Sequence, residues 1–147
     1  MSRCTTRARY ASSCTGGEVV GVGFGPDLTK RDTQAKLKAA GLPWERSKAF
    51  TGSALFSEFV IAPQDHTKLG VELVIDDALL QKGYVSLMLY PPGVILKELN
   101  QFLVLEDFDI VMTGTPAGVG AVQAGERFCG RVLHGEQELV SAGWLAQ

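Results

Sequence analysis

Asp27, Arg31, Gln34 and Lys48 are the residues whose types and spacing suit chemistry on a small anion. Asp27 follows an apolar, glycine-punctuated run, VVGVGFG, and the segment after it reads as a helix. The expected helix has Lys30 to Ala40 as its body, Thr29 as N-cap and Gly41 as its stop. Asp27, Arg31 and Gln34 then fall at i, i+4 and i+7, which sets a carboxylate, a guanidinium and an amide along one edge of the helix entry. Lys48 arrives after the break at Leu42-Pro43-Trp44, flanked by Trp44 and Phe50. A carboxylate at a strand end beside cationic and amide groups is the makeup of a site for a metal ion and a carboxylate substrate. Plainer readings stand beside this one. Asp27 suits a position ahead of a helix N-terminus, while Lys48, Arg31 and Gln34 each suit a solvated surface.

The elements that must position these groups are mostly strands. Glu18 to Gly25 is the first expected strand, and Ala54 to Ile61 the next. Leu69 to Ile75 and Ala78 to Lys82 read as a hairpin about Asp76-Asp77. Pro91-Pro92 opens a second helix whose stripe of Ile95, Leu99 and Phe102 should face the core. Asp109 to Met112 reads as a buried strand that launches Thr113 to Gly120, TGTPAGVG. Glycines and Pro116 make that stretch a tight turn, and no Gly-Lys-Ser/Thr follows to make it a phosphate loop. Arg127 to Leu133 and Glu138 to Trp144 close the chain around His134-Gly135. Neither His66 nor His134 has a Ser or Cys partner in its sequence context, so nucleophilic catalysis finds no support. The pattern is that of one β-rich α+β domain.

The balance of charge excludes several classes of partner. A chain of 147 residues, 46% hydrophobic and with a formal net charge of -2, has enough material for one core. Its charge offers no electrostatic case for nucleic acid or an anionic membrane. No apolar run approaches a membrane span. Cys4, Cys14 and Cys129 have no metal-ligand spacing and cannot all pair, which suits a reducing, cytoplasmic location. Residues 1–17 carry Arg3, Arg7 and Arg9, several Ser and Thr and no acid. They are expected to be a poorly ordered leader, with the domain proper running from 18 to 147.

Three separated motifs, DLTKRDTQ at Asp27 to Gln34, GLPWERSKAF at Gly41 to Phe50 and TGTPAGVG at Thr113 to Gly120, resemble the fumarylacetoacetate hydrolase family. The match is to its small members, which act on acylpyruvates, oxaloacetate or hydroxy-diene-dioates, and it runs from about Val19 to about Phe128. The resemblance implies a rolled, layered, mixed β-sheet with two short helices, as in the family's C-terminal domain, and a homodimer. It implies a Mg²⁺ or Mn²⁺ cofactor with Asp27 as ligand, and a small carboxylic acid substrate. Lys48, Arg31 and Thr115 would then be catalytic, with Gln34, Gly114 and Gln81 on the substrate.

Carbon–carbon hydrolysis, decarboxylation and isomerisation would share one metal-polarised enolate. The resemblance also implies a Glu-x-Glu ligand pair upstream, yet the only acid before Asp27 is Glu18. The chain is therefore expected to be N-terminally truncated relative to the family, and a non-catalytic remnant is the alternative reading. The N-terminal His and Glu of some hydrolytic relatives also lack counterparts, which favours enolate chemistry over hydrolysis. Phe108 stands where relatives usually have Gly, Asp76-Asp77 where they tend to have Asn-Gly, and Tyr84-Val85 where a polar pair follows Gln81-x-Gly83.

Overall fold

Gly16 and Gly17 set the first fold decision. Both have positive φ, 60° and 81°, the geometry of a two-residue turn whose twist matches the strands it joins. In the computed structural model, which describes residues 4–6, 8–118 and 120–147, that turn joins β2 (Ala8–Thr15) to β3 (Glu18–Pro26), with the short β1 (Cys4–Thr6) ahead of them. The expected poorly ordered leader over 1–17 is thus corrected for its described residues, while Met1 to Arg3 and Arg7 lie outside them. The misreading has a physical reason. Ala11, Ser12 and Cys14 are all fully or almost fully buried in β2, which runs between β3 and β8 (Ile110–Met112), and since adjacent residues point to opposite faces, both faces are covered. A strand covered on both faces shows no alternation of polar and apolar residues.

The chain continues through β4 (Thr29–Lys30), α1 (Arg31–Ala39), β5 (Val60–Ile61), β6 (Leu69–Ile75), β7 (Ala78–Tyr84) and α2 (Pro92–Leu99). After β8 come β9 (Gly120–Val122), β10 (Arg127–His134) and β11 (Gln137–Leu145). Among the described residues the strands form three sheets, ordered β4-β1-β9, β11-β10-β6-β7 and β5-β3-β2-β8. This is the β-rich α+β architecture expected. Its strand pairs are all antiparallel, however, where a mixed sheet was expected. Three of these pairs, β2–β3, β6–β7 and β10–β11, are hairpins, whose tight turns require antiparallel strands.

The core lies where β3 crosses β6 and β10, and comprises Val22, Phe24, Leu69, Val71, Leu73, Val85, Phe128 and Val132. Phe24 sits over Gly130, where an added Cβ would lie 2.0 Å from its ring. Its centroid is 6.1 Å from that of Trp144. This packing fixes the C-terminal end of β3, and hence Asp27.

Several boundaries differ from expectation. Thr29 does not cap α1. It is buried in β4, and the N-cap Lys30 makes no side-chain bond. Gly41 does end the helix, with φ of 64° and Leu42 N–H donating to Leu37 O at 2.9 Å. The strand expected over Ala54 to Ile61 is reduced to β5, because its first half follows β3 through irregular bonds such as Ser57 N–H to Phe24 O at 2.9 Å. In α2 it is Pro92 and Leu96 that are buried. Phe102 lies past the helix end and is 72% exposed, so it is not core. The strand expected to be buried at Asp109 to Met112 shortens to β8, an edge strand whose Ile110 is 42% exposed. No helix among the described residues is long and apolar enough to cross a membrane.

Candidate functional site

Asp27 is the first residue past β3, and its side chain is only 13% exposed. Both its oxygens face cations. Arg9 donates Nε–H and Nη2–H to Oδ2 at 3.0 and 2.8 Å. Lys48 donates Nζ–H to Oδ1 and also to the Thr29 hydroxyl at 2.9 Å. Strand register explains the first contact, since Arg9 on β2 lies opposite Gly25 on β3. The second follows from the helical turn Glu45–Ser47, whose buried Ser47 hydroxyl bonds Trp44 O at 2.5 Å and so delivers Lys48 from the end of that turn. Asp27 therefore serves as the anchor of two cations, not as a cap for α1.

Arg9 extends the cluster further. Its Nη1–H donates to Thr113 O at 2.5 Å, which ties the turn that begins at Thr113 to the same guanidinium. That turn is braced from behind by Gln81, 1% exposed, which donates to Pro116 O at 3.0 Å and Ala117 O at 3.4 Å. Gln81 is thus a support of the loop in this structure, and no surface for substrate. Among the described residues, Thr115 Oγ1 is buried without a hydrogen-bond partner. Gly114 and Thr115 line an apolar cavity of about 920 Å³ with Val85, Met88, Ile95 and Leu99. Asp27 and Lys48 are not among the residues lining it. Asp27 and Lys48 on one side and Thr115 on the other therefore belong to two neighbouring features, joined through Arg9 and Thr113.

Arg31 and Gln34 lie one step further along. Arg31 donates Nε–H to the Thr5 hydroxyl at 2.9 Å and Nη1–H to Gln34 Oε1 at 3.2 Å. The two bond to each other, and Arg31 ties the pair to β1 at the entry to α1. His134 Nε2 lies 3.1 Å from Asp65 O, well away in sequence from the cluster.

Arg9 is the residue that sequence reasoning missed. The signal was incomplete: Gly16-Gly17 read as a hairpin turn pairs Thr15 with Glu18 and so Arg9 with Phe24, and only the bulge between Ser13 and Cys14 shifts Arg9 to Gly25, two residues from Asp27.

The donor set does not suit a divalent cation. Mg²⁺ and Mn²⁺ need hard oxygen ligands with enough carboxylate charge to offset dehydration. Asp27 has a guanidinium on one oxygen and an ammonium on the other. Among the described residues no three His, Cys, Asp or Glu side chains gather to hold a metal. The expected role of Asp27 as a metal ligand is not supported by these residues on their own.

Residues 13–143 match the family described as fumarylacetoacetate (FAA) hydrolase C-terminal. The chain is 36% identical over 111 residues to oxaloacetate tautomerase YcgM of Escherichia coli (strain K12), covering 74% of this chain and 51% of that protein. It is 39% identical over 99 residues to the mitochondrial oxaloacetate tautomerase FAHD1 of Homo sapiens, covering 66% of this chain and 45% of that one. The chain thus spans about half the length of the curated relatives it matches. The crystal structure of fumarylpyruvate hydrolase from Pseudomonas aeruginosa, in complex with Mn²⁺ and pyruvate, superposes with a TM-score of 0.83 at 28% identity, over 99% of this chain and 67% of that one.

Proposed function

The chain belongs to the fumarylacetoacetate hydrolase family, and we propose that it carries the cationic part of a site that tautomerises a small 2-oxo dicarboxylate such as oxaloacetate. The observation that carries this reading is the convergence of Arg9 and Lys48 on Asp27, beside the turn that begins at Thr113. Keto–enol exchange moves one proton between C3 and the C2 oxygen, with negative charge building on that oxygen midway. Two fixed cations in a partly dry site favour that charge without having to reorganise. Asp27 holds both in place, and Thr29 orients Lys48. Hydrolysis would also need an activated water. Of the two histidines, His134 is engaged with Asp65 O, and neither reaches the cluster by any observed bond. Two relatives are named as oxaloacetate tautomerases, which supports the same choice.

A metal has a place in the family's chemistry, since the Pseudomonas enzyme was solved with Mn²⁺ and pyruvate. Carboxylates other than the described ones would have to hold it here, so no step of this reading passes through a metal. Association as a homodimer is part of the proposal. Its support is the exposed apolar surface around α2, where Leu89, Phe102 and Val104 are 92%, 72% and 90% exposed. A reducing compartment suits the three free thiols, whether cytoplasmic or, as the human relative's name has it, mitochondrial.

A second reading, a non-catalytic member of the family, has one observation in its favour: both Asp27 oxygens are already taken by cations. Enol-oxaloacetate decay, followed by ultraviolet absorbance against matched blanks in EDTA and in Mn²⁺, separates the two. Tautomerisation above the blank that Lys48→Met abolishes is the expected result. Rates equal to the blank in both arms would overturn the enzymatic reading.

A further inference from the structure

Arg9 occupies Oδ2 of Asp27, an oxygen that a metal-ligand role would need. Its two donors on Oδ2 come from one rigid planar fork, and a third donor of the same fork holds Thr113 O. The backbone of Arg9 is fixed by the β2–β3 ladder. A cation approaching Oδ2 would have to displace this fork while facing its charge. On Oδ1 it would meet the Lys48 ammonium in the same way.

The cluster also has capacity to spare. A guanidinium has five N–H donors and an ammonium three. Among the described residues, three of the Arg9 donors and two of the Lys48 donors are used. Two remain on Arg9 and one on Lys48. The side chains are 21% and 29% exposed, so both cations are partly open to solvent. Two cations against one carboxylate leave the cluster a net single positive charge. Planar, paired N–H donors on a guanidinium match the two oxygens of a carboxylate.

We propose that the Arg9 guanidinium takes the place of a divalent cation at Asp27, so that the Arg9–Asp27–Lys48 cluster binds a small carboxylate anion directly and without metal. The inference rests on the reading above for the class of ligand, and departs from it on what supplies the charge. Asp27 is then a positioning residue: it orients the two cations and touches no ligand.

Oxalate, a planar dianion with the shape of a 2-oxo-carboxylate end, is the probe. Calorimetry on the whole chain in EDTA should show oxalate binding. Adding Mn²⁺ should leave the affinity within about twofold, and Arg9→Gln should weaken it about tenfold or more, the loss expected for one charge-assisted contact. Arg9→Lys, which keeps the charge but not the fork, should recover only part of it.

The electron paramagnetic resonance signal of free Mn²⁺ should be undiminished by the unaltered chain, a measurement that depends on no variant folding. Oxalate binding that requires Mn²⁺, or Mn²⁺ uptake that Asp27→Asn abolishes, would overturn the inference. Absence of oxalate binding in both arms would overturn it as well. Oxaloacetate turnover with Mn²⁺-dependent oxalate binding would sink this inference alone and leave the tautomerase reading standing. Metal-free oxalate binding without turnover would do the reverse.

Discussion

Replacing Asp27 by Asn tests whether the two cations depend on that carboxylate. Asp27 accepts Arg9 Nε–H and Nη2–H at 3.0 and 2.8 Å, and Lys48 Nζ–H on its other oxygen. Asn is nearly isosteric, but it keeps one acceptor oxygen and turns an NH₂ donor toward the other cation. One cation loses its counter-charge and meets a donor. The two limits are an exposed ion pair, about 0–1 kcal/mol, and removal of one partner from a buried pair, about 3–5 kcal/mol. The carboxylate is 13% exposed and the cations 21% and 29%, so the cluster is nearer the buried limit but not at it. Discounted for that solvent access, the expected loss is about 2–3 kcal/mol. In a chain of this size that corresponds to a fall in Tm of roughly 6–10 °C. Urea and thermal melts of the parent, Asp27→Asn, Lys48→Met and the double variant measure the loss and the coupling between the pair. A coupling near zero, or an Asn variant as stable as the parent, would show that the carboxylate is not the anchor of the cations. The proposed carboxylate site would fall with it.

Phe108 has φ of 71° and is 78% exposed. Phe108→Gly relieves a left-handed strain of about 1–2 kcal/mol, less about 0.5–1 kcal/mol of glycine entropy. A higher urea midpoint is expected, and a lower one would mean that the ring contributes packing. Gly130→Ala places a Cβ 2.0 Å from the Phe24 ring and should cost ~3 kcal/mol, the upper end of the overpacking range. An unchanged melt would refute the close crossing of β3 and β10. Burial, aided by the nearby Asp109 charge, pushes the Cys14 thiol above its ordinary pKa. A raised thiol pKa means that its contribution to stability is full below the unfolded value and is lost as pH rises through the native one. Native-state alkylation at mildly alkaline pH should therefore reach Cys4 and Cys129 well before Cys14, which mass spectrometry of partly labelled protein can check.

Local chemistry was legible wherever the sequence needed only its own neighbours. Leu69 to Ile75 was read with its observed bounds, because apolar residues and a following Asp-Asp pair bracket it. The turn itself needed positive φ at both aspartates, 44° and 66°, as a two-residue hairpin demands. Gly41 ended α1 for the same kind of local reason. What failed depended on tertiary cover. Phe102 kept the helical spacing of Ile95 and Leu99, but the helix stops at Leu99 and leaves it in solvent. Thr29 has the composition of a cap, yet it is buried in β4 and its hydroxyl accepts from Lys48.

The site shows the same division, with a consequence for what the chain can do. Asp27 and Lys48 were brought together by resemblance, and the structure joins them. Arg9 could not be found that way, because no motif contains it and its neighbours look like a polar tail. It becomes visible only through the hairpin and its bulge: Gly16-Gly17 turns the chain, and the register shift between Ser13 and Cys14 brings Arg9 opposite Gly25, beside Asp27. A motif records which residues a site retains, while register records what stands next to them. Asp27 within DLTKRDTQ looks like a ligand for a cation supplied from solution. With Arg9 two bonds deep on the same oxygen, the cation is already part of the chain, and the remaining charge is directed at an anion.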